Sequence, residues 1–110
     1  MRKIARVETR FGMADLEIDR YKSSGYISLR LIGKRGEVIT TFSTNLPMSN
    51  FKVGADELTV KTWDENAYLV EPMLKTGLFL ITNRTCRNGF VDSPVWKIRD
   101  PSILPEKISA

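Results

Sequence analysis

Histidine is missing altogether, and cysteine occurs once, at Cys86. Without an imidazole the chain holds no Ser-His-Asp or Cys-His nucleophile, no His-ligated zinc and no imidazole general base. A lone thiol supplies neither a thiolate zinc site nor an internal disulfide, which fits a reducing compartment. Long apolar runs are missing too, and none approaches the roughly 20 residues needed to span a bilayer. The opening MRKIARVETR is basic but lacks the apolar centre of a signal peptide. The sequon Asn83-Arg84-Thr85 therefore reads as coincidence. These absences lead us to expect a chain without catalytic residues, metal or cofactor, working in the cytosol and not in a membrane.

What is present suits one α+β domain. The chain has 110 residues, enough for a single core and too few for two. We expect a domain over residues 1–98 and a flexible tail over 99–110, where two prolines interrupt any periodicity. The net charge of +4 is unevenly spread. Residues 1–35 carry nine Lys/Arg against four Asp/Glu, residues 36–72 two against six, and residues 73–110 six against three. A basic first third beside an acidic middle makes a dipolar surface that can steer a charged partner.

One helix is predicted, at about 63–76. Thr62-Trp63-Asp64-Glu65 fits a capping box, and its two acids suit the positive end of the helix dipole. Ala67, Val70 and Leu74 form an apolar stripe with Leu69 and Met73 beside it. Gly77 suits the left-handed position that ends a helix. Pro72 has no N–H for the carbonyl of Tyr68, so a kink or an end is expected near Glu71.

The rest reads as an antiparallel β-sheet of about six to seven strands. Ala5, Val7, Thr9 and Phe11 alternate with charged residues, as do Ala14, Leu16 and Ile18 on the return. A two-residue turn at Gly12-Met13 would set Arg10 opposite Asp15, Arg6 opposite Asp19 and Val7 against Ile18. Ile27, Leu29 and Leu31 make a third strand. The turn Gly33-Lys34-Arg35-Gly36 leads to a fourth, with Val38, Thr40 and Phe42 inward. Residues 45–56 form a connection carrying Leu46, Met48 and Phe51, and Leu58–Thr62 is a fifth strand. Leu78-Phe79-Leu80-Ile81 is apolar throughout and reads as a strand covered on both faces. Asn88-Gly89 signals a hairpin returning through Phe90 to Ile98, with Pro94 marking an edge strand.

Neither reactive groups nor phosphate loops emerge from this pattern. Asp64 and Glu65 are adjacent, so on a helix they diverge and make a poor acid pair. Gly33 to Gly36 matches neither a Walker loop nor a dinucleotide fingerprint. Binding is the remaining class. The residues with the weakest structural need are Lys34, Arg35, Trp63, Arg84 and Arg87, and Trp and Arg are enriched among interface hot spots. We take these five as candidate partner contacts.

The run Val60-Lys61-Thr62-Trp63-Asp64-Glu65-Asn66, with Leu69, Leu74-Lys75-Thr76-Gly77, Thr85, Gly89-Phe90-Val91 and Pro94-Val95, resembles a known pattern. It is that of a family of small uncharacterised proteins encoded on bacterial phages, plasmids and integrated conjugative elements. Thr40 to Pro47, ending Asn-Leu-Pro, resembles the same family. The resemblance covers roughly residues 25–98. It implies no enzymatic activity, and it implies a setting inside a bacterial host. The expectation is a non-catalytic accessory protein that binds and inhibits a host defence complex, such as a CRISPR ribonucleoprotein effector. The alternative is a nucleic-acid-binding domain using a basic sheet surface, with Phe11, Tyr21 and Tyr26 as stacking groups.

Overall fold

The computed structural model describes residues 2–45, 52–88 and 91–105. Leu46, Met48 and Phe51 of the expected connection, and the Gly89 of the Asn-Gly signal, lie outside these residues. Among the described residues seven strands form two antiparallel sheets. The first holds β1 (Arg2–Thr9), β2 (Gly12–Arg20), β3 (Ile27–Ile32) and β4 (Val38–Thr41) as a meander in that order. The second holds β5 (Glu57–Thr59), β6 (Phe79–Asn88) and β7 (Val91–Ile98) in the order β5-β7-β6. Residues 42–44 and 59–61 stitch the two sheets together. Lys61 N donates to Phe42 O (2.7 Å), Thr44 N donates to Thr59 O (2.9 Å), and Ser43 bridges Val60. Among the described residues no helix is long and apolar enough to cross a membrane.

The period-2 pattern fixes which faces point inward. Ala14, Leu16 and Ile18 of β2 and Ile27, Leu29 and Leu31 of β3 are all buried. Trp96, from the middle of the second sheet, packs between Phe42 (ring centroids 5.4 Å) and Phe79 (5.6 Å), joining both sheets in one core.

The registers differ from the simple hairpins. β1 meets β2 with Val7 opposite Ala14, Arg6 opposite Asp15 and Thr9 opposite Gly12. The turn is thus Arg10-Phe11, not Gly12-Met13. Thr9 decides it: its hydroxyl accepts from Phe11 N (3.0 Å) and donates to Gly12 O (2.7 Å). A hydroxyl-closed turn of this kind favours Arg10-Phe11 over Gly12-Met13. Val7 moves from Ile18 to Ala14, an even shift that keeps Val7, Thr9, Ala14, Leu16 and Ile18 on their expected face. In the β3–β4 hairpin Leu31 pairs with Thr40, and an irregularity follows before Ile32 meets Val38. Val38 is consequently half exposed rather than inward.

The second sheet corrects two further expectations. β7 is the central strand, although Pro94 marked it as an edge. Pro94 is tolerated because β5 ends at Thr59, opposite Val95, while β6 is irregular between Ile81 and Thr85. The missing N–H therefore falls where the ladders are already interrupted. β6 is an edge strand instead, and its apolar run is largely open. Phe79 is buried, whereas Leu80 is 37% and Ile81 65% exposed. The ladder continues to Asn88 opposite Val91.

The helix is present in two parts: a 3₁₀ stretch over Asp64–Leu69 and α1 over Val70–Lys75. It does not end near Glu71. Pro72 lies in the first turn of α1, where an N–H is least needed, and the tighter geometry precedes it. Helix entry also differs from a capping box. Trp63 occupies the N-cap without a side-chain bond, and Asp64 adopts φ 53°. Because 3₁₀ winding rotates the faces, the buried stripe is Asn66, Leu69 and Met73, while Ala67 is exposed.

Arg20 continues the inward phase of β2 beyond Ile18 and is buried. Its guanidinium donates to the carbonyls of Pro105 (3.1 Å), Gly25 (3.0 Å) and Ala55 (3.1 Å), three segments that share no ladder. Burial pushes its pKa below the ordinary arginine value, yet the group stays a cation. Within the segment expected to be a loose tail, Pro101–Ile103 forms a 3₁₀ turn. There the Asp100 carboxylate accepts from Ser102 N (2.9 Å), and Ile103 and Leu104 pack on the core. Arg20→Lys cannot serve three carbonyls with a fork, and should lose about 1–3 kcal/mol. Urea unfolding checks the loss, and limited proteolysis should cut near residues 99–105 first. An unchanged midpoint would show that the hub is dispensable.

Candidate functional site

The β1–β2 and β3–β4 turns stand side by side at one end of the first sheet. Between them lies a groove of about 440 Å³ lined by Phe11, Met13, Gly33, Lys34, Arg35, Glu37 and Ile39. Gly33 N donates to Glu37 O (2.8 Å) and Gly36 N to Gly33 O (3.0 Å), with Gly36 at φ 83°. That closed turn presents Lys34 and Arg35 to solvent. Phe11 is 80% exposed, and Met13 is exposed beside it. A large aromatic left so open on a small domain is the kind of apolar feature that marks contact surfaces.

Phe11 was placed by the sequence on the inward side of β1. The earlier turn at Arg10-Phe11 is what moves it out. Had the hydroxyl of Thr9 been read as a turn closer, Phe11, weighed from sequence as a stacking group for nucleic acid, would have joined the candidate partner contacts as well.

The surface continues past the tip. Phe11 and Ile39 also border a smaller hollow with Arg10, Thr40, Glu65 and Tyr68. There the Arg10 guanidinium lies 4.1 Å over the Tyr68 ring, a cation–π contact. Of the five residues proposed from sequence, only Lys34 and Arg35 share a groove. Trp63 is half-buried at the helix entry and lines neither hollow. Arg84 and Arg87 lie on β6, where Arg84 pairs with Glu57 (3.0 Å) and Arg87 with Asp92 (3.6 Å). Two of the three aromatics considered for base stacking, Tyr21 and Tyr26, are half-buried, and the Tyr21 hydroxyl is engaged by Ser43 (2.8 Å).

No protein-family model, curated protein or solved structure matches this chain.

Among the described residues no group of three or more Cys, Asp and Glu side chains is placed to hold a metal ion. Asp64 is exposed, and the Glu65 carboxylate accepts from Lys61 Nζ (2.6 Å) instead of reaching back to Thr62. Buried Cys86 has its thiol pushed up by desolvation, against a smaller opposing effect of Arg84, and is held as the less reactive thiol.

The Lys61 hydrogen bond, helped by the Glu65 backbone N–H, holds the Glu65 carboxyl below the ordinary value of 4.5. The Ser102 contacts hold Asp100 below 3.8. A depressed carboxylate stabilises the fold fully above its unfolded pKa, and that contribution is lost as pH falls through the folded one. Glu65→Gln with Asp100→Asn should therefore flatten the acid side of the stability profile, below about pH 5. Thermal melts from pH 7 to 3, wild type against the double variant, check this. Parallel acid limbs would rule these two carboxylates out as contributors.

Proposed function

We propose that this protein works by stoichiometric binding and not by catalysis, docking through the Phe11/Met13/Lys34/Arg35 tip onto a protein or ribonucleoprotein partner. The observation that carries the reading is the exposed Phe11, set beside two cations held forward by a glycine-closed turn. Aromatic and arginine side chains supply most of the energy of protein interfaces. Rigid hairpin tips present them without a large ordering cost. With the resemblance to proteins of bacterial mobile elements, this suggests an inhibitor of a host defence complex, anti-CRISPR-like, acting in the bacterial cytosol.

A second reading rests on charge. Lys34 and Arg35 border the tip groove, Arg10 the hollow beside it, and the sequence pI is near 9.4. A nucleic acid would use such cations, but a stacking platform asks for several open aromatics, and only Phe11 qualifies among Phe11, Tyr21 and Tyr26.

Affinity capture of the tagged protein from a bacterial lysate carrying a CRISPR system, with and without nuclease, separates the two. A protein complex that survives nuclease supports the first reading. Capture of nucleic acid alone, abolished by nuclease and falling steeply with salt, would replace it with the second.

A further inference from the structure

A different groove runs along the outer side of β1. It has a volume of about 450 Å³. One wall is five consecutive residues, Arg6 to Arg10, and the other is the helix at Tyr68, Pro72, Lys75 and Thr76. In a strand, successive side chains point to opposite faces. A groove touched by four strand residues in a row, Arg6 to Thr9, therefore follows the strand's edge, not one of its faces, and ends at Arg10 of the turn. β1 pairs with β2 on one side, and among the described residues no strand lies on the other. In an antiparallel pair only alternate residues exchange bonds with the partner, so the intervening N–H and C=O groups are directed into this groove.

We infer that this edge accepts an extended segment of a partner protein as an added β-strand, and that the segment is acidic. Backbone pairing on an exposed edge gives affinity, and alternate side chains give selectivity. The charge comes from Arg6, Arg10 and Lys75, with Glu8 the one carboxylate among the groove's lining residues. Arg6 also meets Asp15 (3.8 Å) and Lys75 meets Glu71 (3.6 Å), both in exposed ion pairs weak enough for an incoming carboxylate to replace. Carboxylates at alternate positions of the incoming strand meet these cations. A second copy of β1 fits less well, because Arg2, Lys3 and Arg6 outnumber Glu8 and like charges would face one another. The inference goes beyond the tip surface and does not need it.

The test titrates the isotope-labelled full chain with a short end-blocked peptide of alternating glutamate and valine. A lysine–valine peptide and a glutamate–valine peptide N-methylated on alternate amides serve as comparisons. The acidic peptide should shift and protect the amides of Arg6 to Arg10. Affinity should fall at least ~10-fold on N-methylation, which removes strand pairing. It should fall by about as much in Arg6→Glu/Lys75→Glu, whose exposed sites leave folding intact. Phe11→Ala should leave peptide affinity within about twofold, so failure of the tip reading and of this one are told apart. The inference is overturned by equal binding of the lysine peptide, indifference to N-methylation, or shifts elsewhere. Absence of binding overturns it too, as does protection of β1 that instead follows concentration-dependent self-association.

Discussion

Asn66→Ala is expected to cost about 3–5 kcal/mol and to lower the midpoint of thermal unfolding by about 15–30 °C. The side chain is fully buried at the start of the helix. Its Oδ1 accepts from the Thr40 hydroxyl (2.7 Å), and its Nδ2 donates to Lys61 O (3.0 Å) and Thr41 O (3.2 Å). Two carbonyls on one side of the amide fix its orientation, since a flipped amide would set oxygen against oxygen. Alanine strands the buried Thr40 hydroxyl and two part-buried carbonyls at once, and groups orphaned away from water carry a desolvation penalty. The loss is structural as well as energetic, because Asn66 ties the helix to β4 and to the chain leaving β5. Asn66→Asp is the sharper comparison. It keeps the shape and the bond from Thr40 but loses both donors, so at neutral pH it should be no more stable than alanine. A midpoint within a few degrees of wild type for either variant would refute this account.

Asn66 also shows how far the sequence could be read. The Asp-Glu-Asn helix start was plain, but its three members took unexpected roles. Glu65 went to Lys61, Asp64 took the left-handed backbone, and Asn66 went into the core. Period and phase were legible because each strand has a core to face. Thus Leu16, Ile18, Leu29 and Leu31 were placed correctly, and so was the one helix among seven strands. Register was not legible. It depended on Thr9 closing a turn and on irregularities such as that between Ile81 and Thr85, which no alternation of apolar residues encodes. Pro94 was read through a valid rule, but its exemption depends on where two neighbouring strands stop. For the site the lesson is similar. Lys34 and Arg35 were visible because a glycine-bounded turn has one plausible orientation. Phe11 was hidden by the register itself, and Arg20 by the habit of reading arginine as surface.

Phe11→Ala combined with Lys34→Glu and Arg35→Glu should abolish capture of the partner, weakening the complex at least ~100-fold. Truncating a central aromatic anchor typically removes about 2 kcal/mol or more, which is already some 30-fold. Reversing two cations adds repulsion toward whatever acidic surface they meet, and shows first as a slower, salt-sensitive association. None of the three side chains belongs to the core, so the fold should survive. All are exposed, and the turn is closed by backbone bonds of Gly33, Gly36 and Glu37 that the substitutions leave alone. Melting should therefore shift by no more than about 0.5 kcal/mol in equivalent stability. This separates lost binding from lost structure, which the Asn66 variants deliberately confound. The companion variant Arg84→Glu/Arg87→Glu probes β6, at the far end of the charge list. It breaks ion pairs with Glu57 and Asp92 but touches nothing at the tip. If capture persists in the triple variant and fails in the β6 variant, the partner sits on the second sheet. The tip would then be an exposed turn and nothing more. If capture fails in the triple variant alone, Phe11 and its two cations are the contact.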